Sequence, residues 1–523
     1  MAGSRREFLS NVSLGVMTAT LGSSLASELG LGIAAAGETP EALNFGRLEP
    51  LAALMQETAP DRLLSVLADR IRTGTELKEL VAAGALANAR TFGGEDYIGF
   101  HTLMAISPSY HRSKEMTADR RALPVLKVLY RNANRIQEHG GRKSEVLKEI
   151  DLRSSGPGTP PTAPLGDLIH ARNVADAELA FAAMVRRGGA EQAFNELLPT
   201  VQEMCDVHRV VLPYRAWDLL DVVGREHAHT LLRQSVRYCL KAETWNTPSP
   251  QREPRTLVPR LLSDHRLLDR PAVGTRNAED AWVDELCKTF LSASPTDAAA
   301  AAAAALASGY APDAIGEAIS LAANQLVLRD SGRPAREESI GKPIGSVHGD
   351  SIGVHASDTA NAWRNMARVT TTRNTFATLI TGAYQVALDR IQRGGDFTNW
   401  APLPLQGHVD RVTEKDAPGL LRELEAAIRG NLQARACAVA HKYGMLGHPV
   451  RPLMDVLLRF ACSEDGSLHA EKYYRTVSDE YATTRPAFRW RHIVGLARVT
   501  ASEYGRPAPG SAEACRLLNV RDA

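Results

Sequence analysis

The sequence has little of several features that mark common protein classes. Only 6% of its residues are aromatic, and 61 Lys and Arg residues nearly balance 60 Asp and Glu residues, for a formal net charge of +1. This balance gives no cationic surface for a nucleic-acid backbone, so no nucleic-acid partner is expected. No apolar run approaches the roughly 20 residues of a membrane-spanning helix, so no stable membrane span is expected either.

Paired cysteine motifs are also missing. The six cysteines occur without a CxxC or CxxCH spacing, at Cys205, Cys239, Cys287, Cys437, Cys462 and Cys515. This argues against thiolate zinc, iron–sulfur and covalently attached haem sites, and most of these side chains are expected to be buried as small apolar groups. A Cys205–Cys239 or Cys437–Cys462 disulfide is compatible with an oxidising compartment, but connectivity does not follow from sequence. The GxGxxG, GxxxxGK[ST], GxSxG and DxDxDG motifs are absent too, which leaves nucleotide-binding, acyl-hydrolase and EF-hand functions without support.

What the sequence does contain is helical periodicity. A chain of 523 residues exceeds the roughly 250 to 300 residues at which a single core stops growing, so two domains or a repeated architecture are expected. Apolar residues recur at spacings of three and four, which predicts helices over 76–90, 176–187, 190–207, 297–308, 313–328, 372–393 and 420–443. Strand-like alternation is scarce. The predicted fold is therefore all-α, a multi-helix bundle or a helical-repeat architecture.

Gly- and Pro-rich breaks divide the chain further, near 154–164, 246–259, 329–344 and 399–406. They predict about four degenerate helical blocks, arranged as an N-terminal half, 40–270, and a C-terminal half, 271–523. Each block has an Ala- and Leu-rich helix, a turn and then a histidine that opens the next helix: His101, His208, His355 and His448. Two blocks share a later Ala-Trp, and two share a later His-Ala that begins at His227 or His469. We interpret this pattern as an internal repeat.

The repeated histidines suggest a metal site. If the blocks surround one centre, imidazoles at equivalent helix starts converge, and converging neutral imidazoles bind Fe, Cu, Mn or Zn. The predicted ligands are His101, His208, His227, His355, His448 and His469. Asp358 and Glu471 are the carboxylates predicted to act in catalysis. The alternative is that each histidine caps or hydrogen-bonds a helix end.

Two further segments have two interpretations each. Residues 345–358 hold His348 and His355 among glycines, which predicts a Gly-rich loop that enters a helix near His355 and approaches a ligand, or else a plain turn. Residues 485–492 interleave aromatic and cationic side chains, which predicts cation–π packing of the terminal helix, with ligand binding as the alternative.

The N-terminus has the features of an export signal. Arg5 and Arg6 precede Phe8 and Leu9, and a weakly apolar stretch rich in small residues follows. Residues 1–36 thus resemble a bacterial twin-arginine signal peptide. The resemblance implies recognition by the twin-arginine export machinery and a periplasmic or otherwise exported location. Because this route carries folded proteins, it also implies that a cofactor can be loaded before export.

A second resemblance concerns the mature chain. The motifs Gly224-Arg-Glu-His227-Ala-His and His469-Ala-Glu-Lys, in an all-helical chain, resemble those of the questin-oxidase-like proteins. That resemblance implies that the chain is a helical protein linked to oxygen-dependent ring cleavage. The sequence therefore predicts an exported, histidine-rich, metal-dependent oxidoreductase that acts on a small organic substrate. The alternative is a non-catalytic helical scaffold that binds a ligand or a partner protein in a groove between blocks.

Overall fold

The alanine-rich segment illustrates why this chain is helical. Ser294 caps the helix Pro295–Ala307 by accepting a hydrogen bond from the backbone N–H of Asp297 at 3.2 Å, and Pro295 occupies the first turn. Alanine is the best helix former, and the helix ends just before Gly309, whose φ of +79° other residues rarely adopt. The same signals recur along the sequence.

A computed structural model describes residues 42–150 and 163–520 of the chain. These residues form 23 α-helices. The first twelve are α1 Glu49–Glu57, α2 Pro60–Arg72, α3 Leu77–Phe92, α4 Tyr97–Glu115, α5 Leu123–Glu138, α6 Leu165–His170, α7 Val174–Val201, α8 Val207–Val223, α9 Ala228–Ala242, α10 Ser249–Arg252, α11 Pro254–Asp264 and α12 Asp280–Ser292. The others are α13 Pro295–Ala307, α14 Pro312–Arg329, α15 Ile352–Arg368, α16 Thr372–Arg393, α17 Gln406–Asp410, α18 Ala417–Arg429, α19 Gln433–Met445, α20 Val450–Ser463, α21 His469–Thr483, α22 Trp490–Glu503 and α23 Ser511–Leu518.

The all-α prediction is confirmed. Pairing between extended residues in the described ranges is limited to isolated β-bridges, with no named strand. Over the same ranges, no helix combines the length and the apolar character needed to cross a membrane.

One predicted helix is divided in the structure. Residues 420–443, predicted as one helix, form α18 and α19, because Gly430 ends α18 and Asn431 follows with a φ of +52°. The break predicted between 176–187 and 190–207 is present as a kink of α7 at Gly189, where φ is 71° and ψ is −167°, and α7 ends at Val201 rather than at residue 207. By contrast, the predicted helix 372–393 coincides with α16.

Buried apolar side chains form three clusters. The first comes mainly from α1 to α9, the second mainly from α11 to α16, and the third mainly from α18 to α22. Helices α4, α8, α15 and α21 pack against one another in a ring, α4 on α8, α8 on α15, α15 on α21 and α21 on α4. This ring joins the first and last parts of the chain and positions the candidate site.

The residues from Leu43 onward form one compact unit. The division into halves and blocks remains a prediction. The export signal predicted over 1–36 lies outside the described residues. All six cysteines are buried, and Cys205, Cys239, Cys437 and Cys462 are free thiols, so neither of the two disulfides considered from the sequence is present.

Candidate metal centre

The helices α4, α8, α15 and α21, which pack in a ring, all begin at the same end of that ring. His101 lies in the first turns of α4, His208 is the second residue of α8, His355 the fourth of α15, and His469 the first of α21. Because side chains in a helix lean toward its N-terminus, imidazoles in these positions project into the space where the four helices start. The four rings form one layer, called here the histidine layer.

The histidine layer consists of two close pairs. The Nε2 atoms of His101 and His208 are 2.7 Å apart, and those of His355 and His469 are 3.0 Å apart. The pairs face each other. The ring centroids of His101 and His469 are 5.3 Å apart, and those of His208 and His355 are 6.3 Å apart. Four sites separated by up to 368 residues in the sequence thus meet in space.

Acidic caps fix the starts of α4 and α8. Asp96 accepts a hydrogen bond from the backbone N–H of Gly99 at 2.7 Å and pairs with Arg135. Asp206 accepts from the backbone N–H groups of His208 and Arg209 at 3.1 and 2.9 Å. Such caps satisfy N–H groups that a helix start leaves without partners, and they hold the first turn, with its histidine, in place.

The start of α15 depends on two glycines. A Cβ atom on Gly349, in the loop before the helix, would overlap the Cβ atom of His469. A Cβ atom on Gly353 would lie 2.7 Å from the backbone nitrogen of Val327 in α14. These two glycines therefore allow close packing around the histidine layer.

The start of α21 is strained. Ser467 and Leu468 both have positive φ values, 50° and 67°, which residues other than glycine rarely adopt. Leu468 is buried at 2% exposure, so the strained turn lies inside the protein. Unfavourable backbone geometry of this kind concentrates at functional sites, where the surrounding structure maintains it. Here it places His469 in the layer.

Three of the four imidazoles have a pKa below the ordinary value. Burial, and then the charge of Lys472, hold the pKa of His101 and that of His469 well below the ordinary value. Burial lowers the pKa of His208 to about 4, against the opposing effect of Asp206. The four helix N-termini add positive potential at the same place, which also disfavours imidazolium. Neutral imidazole is the form that binds metal ions.

The hydrogen bonds assign the tautomers. Nδ1–H of His469 donates to the carbonyl oxygen of Gly466 at 3.2 Å, so its Nε2 accepts from Nε2–H of His355. The Lys472 ammonium lies 3.5 Å from Nδ1 of His101, which then accepts, so Nε2–H of His101 donates to Nε2 of His208. Each pair therefore shares one proton between two Nε2 atoms. A metal ion bound by both members of a pair would replace that proton.

A buried polar group lies beneath the layer. Lys472 and Asp358 follow His469 and His355 by one helical turn each, and both are 2% exposed. Burial lowers the pKa of Lys472 to about 8, with Asp358 opposing the change, and burial raises the pKa of Asp358. Thr476 Oγ1 donates to Asp358 at 2.8 Å. Of these residues, only Asp358 was predicted. Lys472 could have been found from its position three residues after His469.

Aromatic rings form one wall of the site. Tyr97 is 61% exposed, and its ring centroid lies 4.6 Å from that of His101 and 5.4 Å from that of His208. Phe100 is buried, and its centroid lies 4.9 Å from that of His208. The side chain of His208 is 12% exposed, and His355 is also half-buried, so the layer is accessible from their side. The sequence analysis did not identify this wall.

Two predicted histidines lie apart from the layer. His227 is the N-cap residue of α9, makes no side-chain capping hydrogen bond and packs against Phe45 at 6.0 Å between ring centroids. His448 contacts the carbonyl oxygen of Lys415 through Nε2 at 2.9 Å. His448 is the helix-opening histidine of the fourth predicted block, yet the histidine that joins the layer is His469.

Glu471, the other predicted catalytic carboxylate, is fully buried on a different face of α21. It pairs with Lys127 at 2.5 Å and with Arg112 at 3.3 Å. Burial alone would raise its pKa, but these two cations hold it below the ordinary value. Its contacts are those of a structural ion pair between helices.

The pairs suit a metal ion with ligands at right angles. Two nitrogen atoms bound at about 2.0–2.1 Å with a 90° angle lie about 2.8–3.0 Å apart, against about 3.4 Å in a tetrahedral site. The observed separations, 2.7 and 3.0 Å, are hydrogen-bond distances that lie closer to the first value than to the second. Among the described residues, no three of the four histidines offer ligand atoms that all lie within 4.8 Å of one another. The preformed units are therefore the pairs, not a closed four-ligand cage.

One group in the described ranges does meet that 4.8 Å criterion, namely His170, Glu203 and Glu243. Arg255 bonds to both carboxylates, at 3.1 and 2.6 Å, and Arg252 bonds to Glu243 at 2.9 Å. Two guanidinium groups already compensate these charges, so a cation would have to displace them. The residues fit an ion-pair network better than a metal site.

Comparison with known proteins adds no assignment: no family model, curated protein or solved structure matches the chain. Any function therefore has to be argued from the site itself.

Proposed function

We propose that this protein is a metal-dependent oxidoreductase whose transition metal, Fe, Cu, Mn or Zn, is bound at the histidine layer, and that its substrate is a small organic molecule. The observation that carries the proposal is the meeting of four imidazoles, in pairs with Nε2 separations of 2.7 and 3.0 Å. A pair, His101 with His208 or His355 with His469, would hold the ion. When bound, it would supply electron transfer or Lewis-acid chemistry to an adjacent substrate.

The wall of the site supports an organic substrate. Tyr97 and Phe100 offer ring surfaces beside the accessible histidines, and apolar and aromatic linings are what small-molecule sites use to bind organic ligands. The exposed Tyr97 lies where a ligand would enter. It can stack on the ligand and exclude water from the layer.

The polar group beneath the layer supports proton handling. Asp358 and Lys472 are buried together within one helical turn of two proposed ligands, and their pKa values are displaced toward neutrality, upward for the carboxyl and downward for the amine. Titratable groups with pKa values shifted toward 7 are common at catalytic sites, because they can donate and accept protons near pH 7. We assign Asp358 the role of internal proton acceptor.

The same proposal includes export. The arginine pair at Arg5 and Arg6 and the stretch after it support recognition by the twin-arginine machinery, which would deliver the folded, metal-loaded protein to the periplasm.

Elemental analysis of the full chain purified without chelators tests the metal centre. We expect at least one transition-metal ion per chain in the native protein, and its loss when one histidine of each pair is removed, His101→Ala with His355→Ala. The matched control, His227→Ala with His448→Ala, removes two predicted histidines that lie outside the layer and should keep the metal. A folded, metal-free native protein would refute the centre and favour the helical scaffold.

Oxygen uptake tests the reaction class. The native protein should consume oxygen with some member of a panel of small organic reductants, and the double variant of the layer should not. If the protein retains its metal but oxidises none of the reductants, the metal centre is supported and the assignment as an oxidoreductase is refuted.

A further inference from the structure

A second cavity lies between α12, α14, α19 and α22. Its volume is about 730 Å³, and no histidine of the layer lines it. This volume is within the range of about 300–1,000 Å³ that is typical of small-molecule sites. The cavity is lined by part of the segment 485–492 and by His448, two features of the sequence that the histidine layer does not use.

The cavity is cationic. Four of its lining side chains are cations, Lys288, Arg329, Arg489 and Arg491, and its one carboxylate is Asp284. Asp284 is already shared, bonded to Arg491 at 3.2 Å and to Lys288 at 2.9 Å.

Two of these cations have no acidic partner. Arg329 bonds to Gln325 and to the backbone carbonyl of Trp400, at 2.9 and 2.7 Å. Arg489 lies over the ring of Tyr481, with its Cζ atom 4.9 Å from the centroid. Neither arginine forms an ion pair with any described residue. Positive charge concentrated in a concave site attracts anions, and guanidinium groups recognise planar oxyanions.

The cavity is also aromatic. The rings of Tyr481 and Trp490 have centroids 5.5 Å apart, and Phe488 contributes a third ring. The cation–π contacts expected for this segment are present, and a ligand-sized space lies beside them.

The indole of Trp490 packs directly against Gly444. A Cβ atom at this position would overlap Nε1 and Cδ1 of the indole. Any larger residue must therefore push the ring out of its place.

We propose that this cavity binds a small planar aromatic anion, such as an aryl carboxylate. The rings of Trp490 and Tyr481 contact the aromatic part, and Arg329 and Arg489 bind the oxyanion. The site is separate from the histidine layer and does not rest on the function proposed for it.

Calorimetric titration of the full chain with 2-naphthoate tests the site, with the uncharged 2-naphthamide as the matched probe. We expect saturable binding of one naphthoate per chain with quenching of tryptophan fluorescence, and binding of the amide at least about tenfold weaker. That ratio is what losing a charge-assisted contact implies.

Three variants locate the binding. Arg489→Gln and Gly444→Ala should each weaken naphthoate at least about tenfold, the first by removing the charge and the second by displacing the indole. Arg187→Gln removes an exposed arginine of α7 outside the cavity and should leave affinity unchanged. Arg489 is half-buried, so its replacement tests the site even if Gly444→Ala fails to fold. Equal binding of the amide, or binding that survives Arg489→Gln, would overturn the proposal.

Discussion

The contact between α15 and α14 offers a direct test of how the histidine layer is built. Gly353 is the second residue of α15, two positions before His355. A Cβ atom there would lie 2.7 Å from the backbone nitrogen of Val327 and 2.8 Å from the carbonyl carbon of Leu326. Both obstructing atoms are backbone in α14, so no side chain can rotate away. Replacing Gly353 by alanine must therefore separate the two helices.

Two effects of opposite sign determine the size of the change. Alanine stabilises a helix by up to about 1 kcal/mol relative to glycine. Overpacking a well-filled interior costs typically about 1–3 kcal/mol, and the upper end applies where rigid atoms are struck. The net expectation for Gly353→Ala is a loss of about 2 kcal/mol in the free energy of unfolding.

Urea unfolding of Gly353→Ala beside Gly407→Ala isolates the packing effect. Gly407 lies in α17, and a Cβ atom there meets nothing within 4 Å, so that variant should be unchanged or slightly more stable. Gly353→Ala should also weaken metal binding, because α15 carries His355 away from His469. If Gly353→Ala is as stable as the native protein, the close approach of α14 and α15 is not as described.

Further expectations concern pH, an interior ion pair and export. Burial lowers the pKa of His492 to about 4, while the unfolded value is about 6.5, so the unfolded state takes up the proton first as the pH falls. Stability is then lost from about pH 6.5 to 4, by up to about 3 kcal/mol, and His492→Gln should flatten that loss in unfolding curves measured against pH. Glu471→Gln should lower the free energy of unfolding by about 3–5 kcal/mol, since it leaves two buried cations uncompensated. It should leave metal content unchanged, and loss of metal without loss of stability would instead restore Glu471 to the site. Replacing Arg5 and Arg6 by Lys should keep the precursor in the cytoplasm, and unchanged export in a fractionation assay would exclude the twin-arginine route.

The sequence predicts the helices well because their causes are local. Apolar spacing, caps and glycine stops act within a few residues, as around Ser294 and Gly309 in α13. The predicted helix boundaries differ from those of the structure where a single backbone angle determines where a helix ends. Asn431, with its positive φ, splits a segment whose apolar periodicity is continuous.

The candidate site is predicted only in part because its assembly is not local. A histidine that opens a helix is visible in the sequence at both His448 and His469, and nothing nearby distinguishes them. Which one reaches the layer depends on the packing of α21 against α4 and α15. Lys472 follows a helical rule from His469, but its role appears only once His101 is seen 3.5 Å away.

Anomalous diffraction from crystals grown with equimolar Co²⁺ tests the metal centre most directly. The predicted result is a peak within about 2.0–2.2 Å of the Nε2 atoms of at least one pair, His101 with His208 or His355 with His469. A peak at His170, Glu203 and Glu243 with none at the histidine layer would contradict it.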